Sequence, residues 1–227
     1  MKICVSVQTA TTVAARDLIE KAAAVGDIVE LRIDGMRHPA LPDLLQARRG
    51  KILVTNRRRE EGGAFAGPEV ERIRLLEEAV ALGVDYVDVE AATEPVLIER
   101  LKNGIASAGG RTQLVLSWHD TSGTPTERTL RAKLRAMMAE GADFIKIVTM
   151  ANTVEDNLKV LALIPLARRQ GQEIIAFCMG GRGRFSRVLA PGLGASWTYA
   201  ALARGAESAP GQLTVAEMKK IWKIMAP

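Results

Sequence analysis

Aromatic side chains are scarce, at 4% of 227 residues, so the sequence predicts a core built from aliphatic groups. Cysteine is nearly absent: only Cys4 and Cys178 occur. Neither belongs to a CxxC pair or a Cys/His cluster, which excludes a zinc module and a disulfide scaffold. Both fall in apolar stretches and read as buried, reduced thiols of a cytosolic protein. No apolar run approaches the length of a membrane span. After Lys2 the apolar run is only Ile3 to Val7, broken by Ser6, too short for a signal peptide. The GxGxxG fingerprint and the Walker loop are both missing, which argues against a doubly wound nucleotide-binding sheet. No linker, low-complexity segment or close repeat is visible. The net charge of +5 is mild. Its densest run, Arg57-Arg58-Arg59, is followed at once by Glu60 and Glu61, whereas a nucleic-acid module usually carries a larger basic stripe. Neither nucleic acid nor a membrane is an expected partner.

What remains is ordinary for a globular chain, 48% hydrophobic and 25% charged. The length fits one large α/β domain, residues 1–227, better than two small ones. Short β-branched runs predict strands at 3–7, 28–32, 51–55, 86–90, 112–117, 144–148, 174–178 and 196–199. Helical stretches fall between them, at 12–25, 42–47, 68–82, 94–108, 126–140, 153–169 and 214–225, with a shorter one after Phe185. Thr126 and Thr153 read as helix starts, and Pro68 and Pro95 as first-turn residues. Eight β–α units in a chain of this size predict a (β/α)8 TIM barrel in a single domain.

Such barrels carry their chemistry at the C-terminal ends of the strands, and the polar residues of this chain gather there. Lys146 lies in the middle of an apolar strand, on one face with Phe144 and Val148. A lysine is rarely buried without a reason. It reads either as a snorkelling or acid-paired lysine, or as an amine nucleophile for a ketone. His119, one strand away, reads as a structural histidine bonded to Asp120 or a backbone carbonyl, or as a general acid–base. His38 precedes a proline in a turn and has no special role. Glu30, Arg32 and Asp34 share one strand parity, and Asp88 and Glu90 another. These acids can simply neutralise Arg32, Arg57 and Lys146, the preferred reading for Asp88. Gly62 and Gly63 after Glu61 permit a sharp turn and close approach to a ligand. The loop Gly180–Gly183, with arginines up to Arg187, fits either a phosphate nest or bidentate carboxylate binding.

The motifs ELRID (30–34), TNRRREEGG (55–63), DYVDVE (85–90), SWHD (117–120), ADFIKI (142–147), FSR (185–187) and SAPGQ (208–212) occur in one order along nearly the whole chain. Each is weak alone. Together they make the chain resemble the type I 3-dehydroquinate dehydratases of the shikimate pathway. That resemblance implies a cytoplasmic barrel lyase, usually a homodimer, that converts 3-dehydroquinate to 3-dehydroshikimate and water without metal or cofactor. It implies a Schiff base at Lys146, His119 as general base and Glu61 as the group that orients it. Arg187 would hold the substrate carboxylate. Glu30, Arg32 and Arg57 would meet ring hydroxyls with Ser6 nearby, and Ser208 and Gln212 would lie on a lid. Family members often carry a segment before the first strand that covers the barrel bottom, whereas here Ile3 already reads as strand.

The residue types fit that chemistry. An iminium acidifies the proton α to the former ketone, and a histidine can remove it and then protonate the departing hydroxyl. The lysine must be neutral to attack, and burial with Arg32, Arg57 and Arg187 nearby is expected to favour that form. Two other readings stay open: a Schiff-base aldolase acting on a sugar phosphate held at Gly180–Gly183, and a non-enzymatic basic binding protein using Arg57–Arg59.

Overall fold

The structure, a computed structural model, describes residues 1–225. Among these residues eight strands form one parallel sheet: β1 (Ile3–Gln8), β2 (Ile28–Arg32), β3 (Lys51–Thr55), β4 (Tyr86–Glu90), β5 (Gln113–Asp120), β6 (Phe144–Met150), β7 (Glu173–Met179) and β8 (Thr198–Ala200). Their order is β7-β6-β5-β4-β3-β2-β1-β8. The ladder joins β8 to β1, and the remaining seam lies between β8 and β7. There the Ser196 amide donates to the Ile174 carbonyl at 2.8 Å, and the Ser196 hydroxyl to Glu173 at 2.7 Å. This is the (β/α)8 barrel the spacing of strands predicts.

Helices α1 (Thr12–Val25), α2 (Leu41–Gln46), α3 (Glu69–Ala81), α4 (Pro95–Ser107), α5 (Glu127–Ala139), α6 (Asp156–Leu161), α7 (Leu163–Arg169), α8 (Arg184–Leu189) and α9 (Val215–Met225) lie between and after the strands. The longer ones offer the barrel a stripe of helical period. In α1 it is Ala15, Ile19 and Ala22, all buried; small residues on either side let the helix lie close to the sheet. Ile19→Ala would cost about 2–5 kcal/mol, because the close-packed surroundings cannot fill the void. The Thr126 side chain caps α5 by accepting from the Thr129 amide.

Alternation along the strands divides the core in two. Outward side chains such as Val5, Val29, Val54, Val87, Leu116 and Ile147 join the helices in an aliphatic shell. Inward side chains form a separate cluster inside the barrel. The expectation of an aliphatic core holds for the shell and fails for the barrel. Five of the chain's few rings, Tyr86, Phe144, Phe177, Trp197 and Tyr199, meet inside it. Tyr86, Phe144 and Trp197 pack with centroids 4.9–5.7 Å apart, near the N-terminal strand ends. Lys51 adds its ammonium 5.7 Å from the Tyr86 ring. Large rings fill the bottom of the barrel, so small polar groups can occupy the top.

Several boundaries differ from the sequence expectation, two of them for clear local reasons. The predicted helix over 153–169 starts at Asp156 and breaks into α6 and α7. The Asp156 carboxylate accepts from the amides of Asn152 and Thr153, both at 2.9 Å, which holds those residues in a turn. Pro165 has no amide hydrogen to donate to the Leu161 carbonyl, and the helix interrupts at Ala162. β8 begins at Thr198 rather than Ser196, because Ser196 is engaged across the seam before β8 joins β1.

Candidate active site

The C-terminal ends of the strands enclose a cavity of about 180 Å³ lined by Glu30, Arg32, Arg57, His119, Lys146 and Arg187, among others. Parallel register brings these side chains to one level. Ser6 pairs with Glu30, Glu90 with Ser117, and Ser117 with Lys146. The other four expected site residues, Ser6, Glu61, Ser208 and Gln212, line the same cavity, so all ten are brought together.

Lys146 points into the barrel and is 4% exposed. Its amine donates to Asp88 Oδ2 at 3.0 Å, lies 3.7 Å from Glu30 Oε1, and sits over the Tyr199 ring, 4.6 Å from its centroid. The charges in contact with it are thus carboxylates, where the sequence led us to expect arginines. Asp88, read as a neutralising acid, does neutralise, and it also holds the amine directly. Burial alone would raise the Asp88 carboxyl; Arg57 and Lys146 outweigh that and keep it below the usual carboxylate range. Glu30 is in turn fixed by the hydroxyls of Ser6 and Thr55, the latter at 2.9 Å.

β5 runs on to Asp120, so His119 is a strand residue facing the cavity. Its partner is Glu61, not Asp120. Glu61 Oε2 accepts the His119 backbone N–H at 2.8 Å and meets ring Nδ1 at 2.9 Å. An ionised Glu61 can only accept, so in that state Nδ1 carries the hydrogen and Nε2 keeps its lone pair for the cavity. Burial, with Arg57 and Lys146 nearby, pushes the imidazole well below its usual pKa and keeps it neutral. Burial raises the Glu61 carboxyl to about 7, against the pull of Arg57.

Glu61 is delivered by a tight turn. Gly62 has φ of +80°. A Cβ on Gly63 would lie 2.0 Å from the Arg57 carbonyl oxygen. The close approach that Gly63 permits is therefore to the chain's own backbone, not to a ligand. Next in sequence, the Ala64 amide donates to Asp34 Oδ2 at 2.9 Å, and Asp34 also holds Arg32 through two bonds of 2.7 and 2.9 Å.

Arg57 is enclosed by Glu90, Ser117 and Asp88 at 2.7–2.8 Å. This is a different environment from the exposed basic run that a binding protein would use. Arg187 is its opposite. The residue is 1% exposed, and its Nε and Nη1 have no hydrogen-bond partner among the described residues. Nη2 makes one long bond, 3.5 Å, to the Pro210 carbonyl. The Phe177 ring lies 4.4 Å beneath the guanidinium, and burial lowers its pKa to about 10.

The segment 206–212 covers the cavity on the side of β7. Gln212 and Ser208 bond each other, amide to side chain at 3.0 Å and side chain to side chain at 3.1 Å. The Gly180 amide donates to the Pro210 carbonyl at 3.0 Å. That bond, and the donation of the Gly183 amide to the Gly180 carbonyl, occupy two of the amides a phosphate nest would need. The sequence signals missed Tyr199 beneath the amine, since nothing in a three-residue strand marks it. Among the described residues no group of three or more His, Cys, Asp or Glu side chains is arranged to hold a metal. Nor is any helix there long and apolar enough to cross a membrane. Cys4 and Cys178 are free and buried.

Comparison with known proteins agrees with this geometry. The family model for type I 3-dehydroquinase matches residues 3–227. The 3-dehydroquinate dehydratase of Syntrophobacter fumaroxidans is 38% identical over 207 residues, covering 87% of this chain and 86% of that protein. The crystal structure of 3-dehydroquinate dehydratase from Geobacillus kaustophilus superposes with a TM-score of 0.89 at 29% identity, covering 99% of this chain and 90% of that one. The type I enzyme from Clostridium difficile, solved with covalently modified comenic acid, gives 0.88 at 26% identity, covering 99% and 91%. The chain belongs to the type I 3-dehydroquinase family.

Proposed function

We propose that the chain dehydrates 3-dehydroquinate to 3-dehydroshikimate and water through an imine at Lys146. The observation that carries this reading is Arg187: a buried cation with unpartnered donors in the same cavity as a lysine amine and a neutral histidine. A buried charge without a partner is costly, and a substrate carboxylate relieves that cost while fixing the ring.

Lys146 attacks the ketone carbon as the neutral amine, held in place by its bond to Asp88. Loss of water leaves an iminium, the electron sink that makes a cofactor unnecessary. His119 Nε2 removes the α-proton, and the electron pair moves into the enamine. The enamine expels the β-hydroxyl, which leaves as water with the proton from His119. Hydrolysis of the iminium frees the enone and restores Lys146. Glu61 holds the imidazole so that Nε2 is the basic nitrogen throughout. Glu30, Arg32, Arg57 and Ser6 meet the ring hydroxyls, and Ser208 and Gln212 close over the ring. Holding base and substrate in one geometry makes proton transfer a positioned step. A homodimer in the cytoplasm completes the reading, and light scattering tests the assembly. The activity is tested by the absorbance of the conjugated enone on adding 3-dehydroquinate. Accumulating enone supports the reading; none with a folded chain sinks it.

A further inference from the structure

Arg72 comes from α3, outside the barrel, yet its side chain is fully buried. Nε and Nη2 donate to the two oxygens of Glu69, both at 2.8 Å. Nη2 also donates to Thr93 Oγ1, and Nη1 to the Asn56 carbonyl, each at 2.8 Å. Nη1 then lies 2.5 Å from Glu90 Oε2, a charge contact rather than an aligned hydrogen bond. The other oxygen of Glu90, Oε1, accepts from Arg57 at 2.7 Å and from the Arg58 amide at 3.2 Å. Glu90 therefore sits between two arginines, one from the helix layer and one in the cavity wall. Beyond it, Arg57 holds Asp88, and Asp88 holds Lys146.

The result is one line of alternating charge from helix to nucleophile: Arg72, Glu90, Arg57, Asp88, Lys146. Each member of the line that faces the cavity is fixed by the one behind it. Glu90 has no exposure to water. Without Arg72 its second oxygen would have to be neutralised by Arg57 alone, and the guanidinium would be drawn toward Glu90 and away from Asp88.

We propose that Arg72 is a positioning residue for the reaction, setting Arg57 through Glu90 and so fixing the charge that Asp88, Lys146 and His119 experience. The inference rests on the imine reading above. Arg72 touches no substrate; what it governs is the field at the acid–base pair. The groups that face His119 are Glu61 and Arg57 after and beyond β3, Asp88 on β4, Lys146 on β6 and Arg32 on β2. Glu90 acts on Glu61. With Arg72 gone, Glu90 is less compensated, and both Glu61 and His119 bind their proton more readily.

Three variants test this, with turnover against pH, borohydride trapping and thermal unfolding measured on each. Arg72→Met is expected to move the acid limb of kcat to higher pH by about one unit, the ordinary spread of protein pKa values, while still forming the trapped imine. Arg72→Lys, which keeps the charge, is expected to return the limb toward its normal position. Glu69→Gln removes a carboxylate from the far side of Arg72, frees more of its charge for Glu90, and is expected to move the limb the other way, to lower pH. Glu69 is partly exposed, so this variant decides the matter even where Arg72→Met does not fold. An acid limb unmoved in folded Arg72→Met and Glu69→Gln, with activity falling only as thermal stability falls, overturns the proposal. A wild-type chain that traps no imine at Lys146 overturns the function reading instead, and the two failures are separate observations.

Discussion

Glu61 Oε2 meets both the backbone N–H and the ring Nδ1 of His119, at 2.8 and 2.9 Å. One carboxylate oxygen thus sets the position of the residue and the tautomer of its ring. In the proposed reaction the pair works with Glu61 ionised and His119 neutral.

The raised Glu61 carboxyl makes turnover depend on pH. Its ordinary value is 4.5, and in the fold it is about 7. As pH falls through about 7, Glu61 takes up a proton and no longer accepts two donors, so turnover is expected to decline on that side. Glu61→Gln has no carboxyl to titrate and should lose this limb. Its residual rate should exceed that of His119→Ala, because Nε2 remains in place; removing the histidine should cost ~10²–10⁴-fold. A pH–rate profile of Glu61→Gln that keeps the wild-type limb would show that the limb belongs to another group.

Arg187, proposed to hold the substrate carboxylate, carries a stability cost. Burial lowers its pKa to about 10. A cation with a depressed folded pKa destabilises the fold fully below about 10, and the penalty fades as pH rises from there toward the ordinary guanidinium range. Arg187→Met should therefore unfold at a higher temperature at neutral pH, yet bind substrate more weakly by about 2–5 kcal/mol, the usual result of removing one partner of a buried charge pair. Arg187→Lys should also raise KM, since ammonium cannot make two parallel bonds to a carboxylate. Differential scanning calorimetry and steady-state kinetics check both. Unchanged KM in the two variants would mean that the carboxylate is held elsewhere.

The covering segment is seated by a glycine. Gly211 has φ of +81°, and a Cβ there would lie 2.0 Å from the Gly180 carbonyl oxygen. Gly211→Ala is expected to lift residues 206–212 from the cavity, lower kcat/KM, and speed hydrogen exchange across the segment. The unfolding temperature should change little, because few buried apolar groups anchor this stretch. In the wild type, exchange there should slow when a ligand is trapped. Equal exchange with and without ligand, and a Gly211→Ala variant of normal efficiency, would make the segment a passive connector.

Much of this was legible from residue order. The limits of β2, β3 and β4 coincide with short apolar runs whose two faces differ sharply, and strand parity alone gathers Glu30, Arg32, Asp88, Glu90 and Lys146 on the inside. Long-range partners were not legible from spacing; that Glu61 orients His119 entered only through the family resemblance. Residue spacing cannot show that Glu61 seeks His119 rather than Asp120 remaining beside it, because the pairing is made by the turn at Gly62–Gly63. Nor can it show that the aromatic rings, sparse along the chain, converge from β4, β6, β7 and β8 to fill the barrel. Arg72 was invisible for a similar reason: on α3 it reads as one more surface charge in a helix rich in them, and only the helix docking buries it against Glu90.

The central claim is that Lys146 is the nucleophile, and borohydride reduction in the presence of 3-dehydroquinate tests it most directly. The account predicts a stable mass increase located by peptide mapping on the segment containing Lys146, retained in His119→Ala and lost in Lys146→Ala. A folded, active chain that yields no adduct, or yields it on another lysine, would contradict it.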